Sequence, residues 1–154
     1  MRIALYQPDI AGNVGTIIRM AACFGVSCDI IHPCGFAFSE RGMKRAGMDY
    51  VAQAAVFEHD SWSAFEHMAA AESRRIVLLS SKASSPLPHA IFLPDDIILM
   101  GSESAGAPEF VHNRADMRVH IPMAAGFRSL NVAVAAGIAL AEGLRQTGQF
   151  PASV

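Results

Sequence analysis

The chain has 154 residues, a formal net charge of −2, 52% hydrophobic residues and only 17% charged ones. A chain of this length buries roughly 70% of its unfolded surface, so its core needs no staple, and the charge balance excludes the strongly basic proteins recognised as nucleic-acid binders by isoelectric point alone. So low a charged fraction points to apolar surface covered by another subunit.

Residues 2–6 (RIALY) form a short apolar run stopped by Pro8 and Gly12, and residues 14–24 (VGTIIRMAACF) carry a helical period before Gly25. A buried-type strand is predicted at 27–31 (SCDII), then a loop closed by Pro33 and Gly35, and a short helix in the polar segment 39–46. Residues 51–57 (VAQAAVF) predict a strand, 61–71 a helix carrying the sole Trp62, and 75–80 (RIVLLS) a β-branched strand. The stretch 81–94, with Lys82, Pro86, Pro88 and Pro94, reads as a loop. Strands follow at 96–101 (DIILMG) and 117–121 (MRVHI), then a long Ala-rich helix over 129–147 ending near Gly148 and Pro151. Strands alternating with helices predict an α/β fold, a parallel sheet with helices on both faces. Without repeats or linker-like stretches, 1–154 is expected to form one domain.

The opening residues lack the charged, apolar and small-residue succession of a secretory leader, and no apolar run reaches the ~20 residues that span a bilayer. Cys23, Cys28 and Cys34 have no framework spacing and read as reduced thiols, consistent with a cytoplasmic protein. His32 and Cys34 have no second cluster to complete a zinc site, so no metal is expected.

Ligands of open α/β sheets bind beyond the carboxyl ends of the strands. Three unusual segments are placed there: 7–19 (QPDIAGNVGTIIR), 101–108 (GSESAGAP) and 121–131 (IPMAAGFRSLN). The second is neither GxGxxG, nor a P-loop, nor a GxSxG elbow. It is a glycine-hinged loop with one acid, Glu103, in which Gly101 and Gly106 each suit a turn of positive φ. Ser129 suits the cap of the last helix, and Asn13 that of the first. Arg19, within TIIRMAACF, offers five fixed donors for a phosphate or an ordinary surface ion pair. Arg128 reads equally as a phosphate contact and as a solvated charge.

Taken in order, Asn13-Val-Gly-Thr-Ile-Ile-Arg19, Met100-Gly-Ser-Glu103-Ser-Ala-Gly106, and Ile121-Pro-Met with Ser129-Leu-Asn131 resemble the three successive motifs of the SpoU branch of SPOUT methyltransferases. The match runs nearly end to end. Gly35-Phe36 with Lys44-Arg45-Ala46-Gly47-Met48-Asp49-Tyr50 resembles the signature of the minimal members that methylate the wobble nucleotide of tRNA. The resemblance implies a sheet whose C-terminal third forms a deep trefoil knot, a rare topology. It also implies a homodimer with paired sites at its interface, and S-adenosylmethionine as methyl donor to a ribose 2'-hydroxyl of the tRNA anticodon region.

Carried over by motif, the cofactor contacts fall on Leu79, Gly101, Glu103, Gly106, Ile121, Met123, Ser129 and Leu130. Catalysis falls on Arg19, Ser129 and Asn131, and RNA binding on Asn13, Arg41, Lys44, Arg45 and Arg128, with Phe36, Phe38 and Tyr50 as stacking or core aromatics. Arginine, with a pKa above ~12, suits phosphate gripping better than literal base action. The chain departs from the pattern after Asn131, where Val-Ala-Val-Ala-Ala replaces a Ser- and Asn-containing continuation, and at Ala141, where a relative has an aromatic. A noncatalytic RNA-binding knot and a same-branch enzyme acting on rRNA or another tRNA position are the alternatives.

Overall fold

The computed structural model describes residues 1–39 and 54–152. In chain order the elements are β1 (Arg2–Tyr6), α1 (Ala11–Phe24), β2 (Ser27–Ile31), β3 (Val56–His59), α2 (Trp62–Ala71), β4 (Ile76–Leu79) and β5 (Ser85–Pro86). After a 3-10 turn at Leu87–His89 come β6 (Ile97–Met100), α3 (Glu109–Arg114), β7 (Met117–His120) and α4 (Val132–Thr147). The strands form one parallel sheet in the order β3-β2-β1-β6-β4-β7-β5. No helix among the described residues is long and apolar enough to cross a membrane.

The central strands β1, β4 and β6 are nearly continuous apolar runs because helices cover both of their faces. Alternate residues supply two cores. Ile3, Leu5, Val77 and Ile98 meet α1 and α4 through Val14, Ile17, Ala136 and Leu140. Ala4, Tyr6, Leu78 and Leu99 meet α2 and α3 through Phe65, Ala69 and Val111. Toward the β3 edge, the fully buried Asp29 accepts two 2.8 Å bonds from the Arg2 guanidinium and stands 2.7 Å from His59 Nε2. A carboxylate removed from water is tolerated only when paired in this way.

The order at the far edge has a topological consequence. Leu79, the last residue of β4, and Ser85, the first of β5, are both registered with Val119 of β7. The short connection 80–84 therefore arches across the end of a strand that comes later in the chain.

Several boundaries differ from the sequence reading. The first helix starts at Ala11, not at 14, with Ile10 at its cap position and no side-chain cap, so Asn13 lies inside the first turn. The last helix starts at Val132, not at 129, and Asn131 rather than Ser129 caps it, its side chain accepting from the amides of Ala133 and Val134 at 2.8 and 3.3 Å. Of the strand expected at 51–57, residues 51–53 lie outside the described residues, and the described strand is Val56–His59. The loop expected over 81–94 contains β5 and the 3-10 turn, and α3 was not expected. The helix expected over 39–46 lies outside the described residues apart from Ser39.

Candidate active site at the carboxyl ends of the sheet

A cavity of about 610 Å3 opens where β4, β6 and β7 end. The three segments singled out from the sequence converge on it. Leu79, Gly101, Glu103, Gly106, Ile121, Met123, Ser129 and Leu130 all line it, together with Asn13, Arg128 and Asn131. Leu79, Ile121, Met123 and Leu130 make an apolar wall, and the 101–106 loop makes a polar one.

That loop closes on itself. Ser102 and Gly106 exchange backbone hydrogen bonds of 3.1 and 2.9 Å, and Ser102 Oγ donates to the Gly106 carbonyl at 3.2 Å. Gly106 has φ +68°, the left-handed conformation expected of it. Gly101 does not, contrary to the sequence reading. It is glycine because a Cβ there would stand 2.6 Å from the Gly106 carbonyl carbon and 2.7 Å from the Ala107 nitrogen. Close approach of backbone, not φ, excludes a side chain.

Glu103 ties this loop to the start of α1. One carboxylate oxygen accepts from the Asp9 amide at 2.7 Å and the other from the Asn13 side-chain amide at 2.9 Å. Asp9 reciprocates, accepting from the backbone amide and hydroxyl of Ser104 at 2.9 and 2.6 Å; these bonds hold its carboxyl below the ordinary range. The chain of bonds continues, because the Asn131 side-chain amide donates to the Asn13 side-chain oxygen Oδ1 at 3.0 Å while its own oxygen caps α4. Glu103, Asn13 and Asn131 thus join all three segments at one wall of the cavity. Asp9 was not singled out from the sequence; an acid directly after Pro8 reads as an ordinary loop residue.

Arg19 is placed elsewhere. It is exposed on α1 and is not among the residues lining the cavity of its own chain. Arg41, Lys44, Arg45 and Tyr50 lie outside the described residues. Phe36 and Phe38 are half-buried against the core, their rings 6.3 Å apart and Phe38 6.0 Å from His32. Ser80, Lys82 and His112 line the cavity without having been picked out. The 81–94 stretch reads as a loop, and His112 sits on the short helix that the sequence conceals. Burial first, then the positive charges of Arg118 and Lys82, push the His112 imidazole below its ordinary pKa.

The SpoU rRNA Methylase family model matches residues 1–141. A tRNA (cytidine(34)-2'-O)-methyltransferase of Beijerinckia indica is 56% identical over 95% of this chain and 91% of its own. The protein of the same description from Escherichia coli K12 is 33% identical over 100% and 98%. A structure solved in work on 2-OH methylation of C/U34 on tRNA superposes with a TM-score of 0.86 and 40% identity, covering 94% of each chain. An AdoMet-bound rRNA methyltransferase from Sinorhizobium meliloti superposes at 0.83 with 29% identity, over 94% of this chain and 55% of that one. By a family match along most of its length, and by relatives of this identity and coverage, the chain belongs to the SpoU rRNA methylase family.

Proposed function

We propose that the protein transfers a methyl group from S-adenosylmethionine to the ribose 2'-hydroxyl of the wobble nucleotide of tRNA, a cytidine or a modified uridine, and works in the cytoplasm. The observation that carries the reading is the convergence of the three motif segments on one cavity at the carboxyl ends of β4, β6 and β7. The likeness to relatives named for this reaction supports it.

The cavity suits the cofactor. Its volume lies within the range of small-molecule sites, and its apolar wall with a few fixed polar groups matches an adenine and a sulfonium-bearing chain. The missing side chain at Gly101 keeps the loop tight enough to offer backbone groups directly. Leu79, Ile121, Met123 and Leu130 would hold the base, and Gly101, Gly106 and Ser129 the polar parts. Bound S-adenosylmethionine supplies an electrophilic methyl carbon.

The protein's own task is then to align a ribose hydroxyl in line with that carbon, ease removal of its proton and exclude water; alignment alone is worth several kcal/mol. Ser129 orients the hydroxyl. Asn131, with its oxygen committed to the helix cap and one N–H to Asn13, keeps one N–H to offer. Arg19, as a guanidinium with no lone pair to accept a proton, grips the phosphate beside the target ribose, and that phosphate accepts the proton of the hydroxyl. Arg128, exposed at the cavity, and Arg41, Lys44 and Arg45 add phosphate contacts to the anticodon region.

Two features of the assembly complete the reading. The arch of 80–84 over β7 is the crossing that a trefoil knot needs, and the C-terminal segment is read as threaded through it. The site is read as shared in a homodimer, because Arg19 stands outside its own chain's cavity and α4, which packs beside α1, exposes Val134 and Ile138, with Ile10 exposed at the cap of α1.

Labelled methyl transfer to tRNA lacking this modification, followed by nuclease digestion, tests the function. Label on the wobble ribose is expected. Label on another nucleotide would overturn the substrate, and no transfer with any RNA despite cofactor binding would overturn the reaction.

A further inference from the structure

Apart from Arg19, the described arginines and lysines divide into two sets. Arg2, Arg74, Arg75, Arg114 and Arg145 each hold a carboxylate, those of Asp29, Glu72, Asp96, Glu66 and Glu142, at 2.6–2.9 Å. Among the described residues the side chains of Lys82, Arg118 and Arg128 make no ion pair or hydrogen bond. These are not scattered. Lys82 and Arg128 line the cavity, and Arg118 and Lys82 both act electrostatically on His112, which lines it too.

The sheet explains the grouping. Arg118 on β7 is registered with Leu78 of β4, so it lies on the face that α3 covers with Val111, one residue before His112. Lys82 leaves the carboxyl end of that same β4, in the arch over β7. Residues 36 positions apart (82 and 118) are thereby brought to one edge; Glu109 is the acid that acts on His112, and Asp116 precedes Arg118 by two residues but is engaged with the Ile76 amide and Arg114.

We propose that Lys82 and Arg118, with His112 beside them as an N–H donor, form a phosphate-binding edge for the RNA backbone at the mouth of the cavity. It rests on the tRNA reading above. Like-charged side chains left unpaired together are unfavourable in the free protein and favourable against a polyanion, where each contact releases a counterion. A cofactor carboxylate could answer one of these cations. It cannot answer Arg118, which is exposed and outside the cavity lining, so the ligand has to continue beyond the cavity, as a chain of phosphodiesters does.

The test uses the full chain, an unmodified tRNA transcript and S-adenosylmethionine as separate probes. Lys82→Ala, Arg118→Ala and the double variant are titrated with each probe, the tRNA across a range of salt, with Lys82→Arg as the charge-conserving control. Both residues are exposed, so melting temperatures should stay with the wild type. The expected result for the double variant is tRNA affinity lower by on the order of tenfold, and a slope of log affinity against log salt shallower by roughly 1.4 to 1.8. Cofactor affinity should hold, and Lys82→Arg should restore binding. Unchanged tRNA affinity and slope in a wild-type background that binds and methylates tRNA would overturn the edge alone. Loss of cofactor affinity in Lys82→Ala would overturn it by reassigning that lysine to the cofactor. A wild-type protein that bound no tRNA would overturn the underlying function and the edge with it.

Discussion

At the scale of single residues the site depends on groups that cannot be exchanged for near relatives. Gly101 is the sharpest case, since the nearest atoms to an added methyl are backbone, which cannot swing away. Gly101→Ala should force the 101–106 loop off the Ser102–Gly106 bridge at a cost of about 1–3 kcal/mol, the range for overpacking. Because that loop is a wall of the cavity, cofactor affinity should fall further than the melting temperature suggests. Isothermal titration beside a thermal melt checks both, and unaltered cofactor affinity would show that the loop is not part of the cofactor site. The need for glycine was legible in the sequence at both Gly101 and Gly106. The reason was legible only for Gly106, because a φ preference is local whereas the approach of residue 106 to residue 101 is a property of the folded loop.

At the scale of elements the buried strands were legible to within a residue or two. A central parallel strand is apolar on both faces and is bounded by Gly or polar residues, as at Ile76–Leu79 and Ile97–Met100. Elements with little buried surface were not. Helix α3 buries only Val111, and β5 is two residues long with Pro86 at the sheet edge, so neither imposes a period on the sequence. The start of α4 shows a different limit. Ser129 and Asn131 are both good capping residues, and the choice between them is tied to Asn13, 118 positions earlier. Two substitutions separate the two roles of Asn131. Asn131→Ala removes cap and link together and should cost about 1 kcal/mol in stability. Asn131→Asp keeps the acceptor and adds a charge that the helix N-terminus favours, so stability should hold. It loses the N–H given to Asn13 and places a carboxylate near Glu103, so methyl transfer should fall as in the alanine variant. Full activity in Asn131→Asp would reduce the residue to a cap.

At the scale of the whole molecule, the low charged fraction and the exposed apolar side chains of α4 and of Ile10, just before α1, point the same way. Val134 and Ile138 are 52% and 40% exposed on a helix whose other face fills the core. A surface of this kind suits an isologous contact with a second copy, and it would let an arginine outside its own cavity serve the partner's. An aspartate in place of Ile138 would then be buried unpaired in both halves of the interface at a cost of several kcal/mol each, and a monomer should be seen by sedimentation at micromolar concentration. A sharper test asks where Arg19 acts. Arg19→Ala and Gly101→Ala should each be inactive alone. Co-expressed in equal amounts, half of the dimers are mixed, and each mixed dimer holds one cavity of wild-type sequence facing one unaltered Arg19. A shared site therefore predicts recovery of about a quarter of wild-type transfer. If each arginine served its own cavity, every site in the mixture would still lack one component and transfer would stay at background. The position of Arg19 outside its own cavity favours recovery.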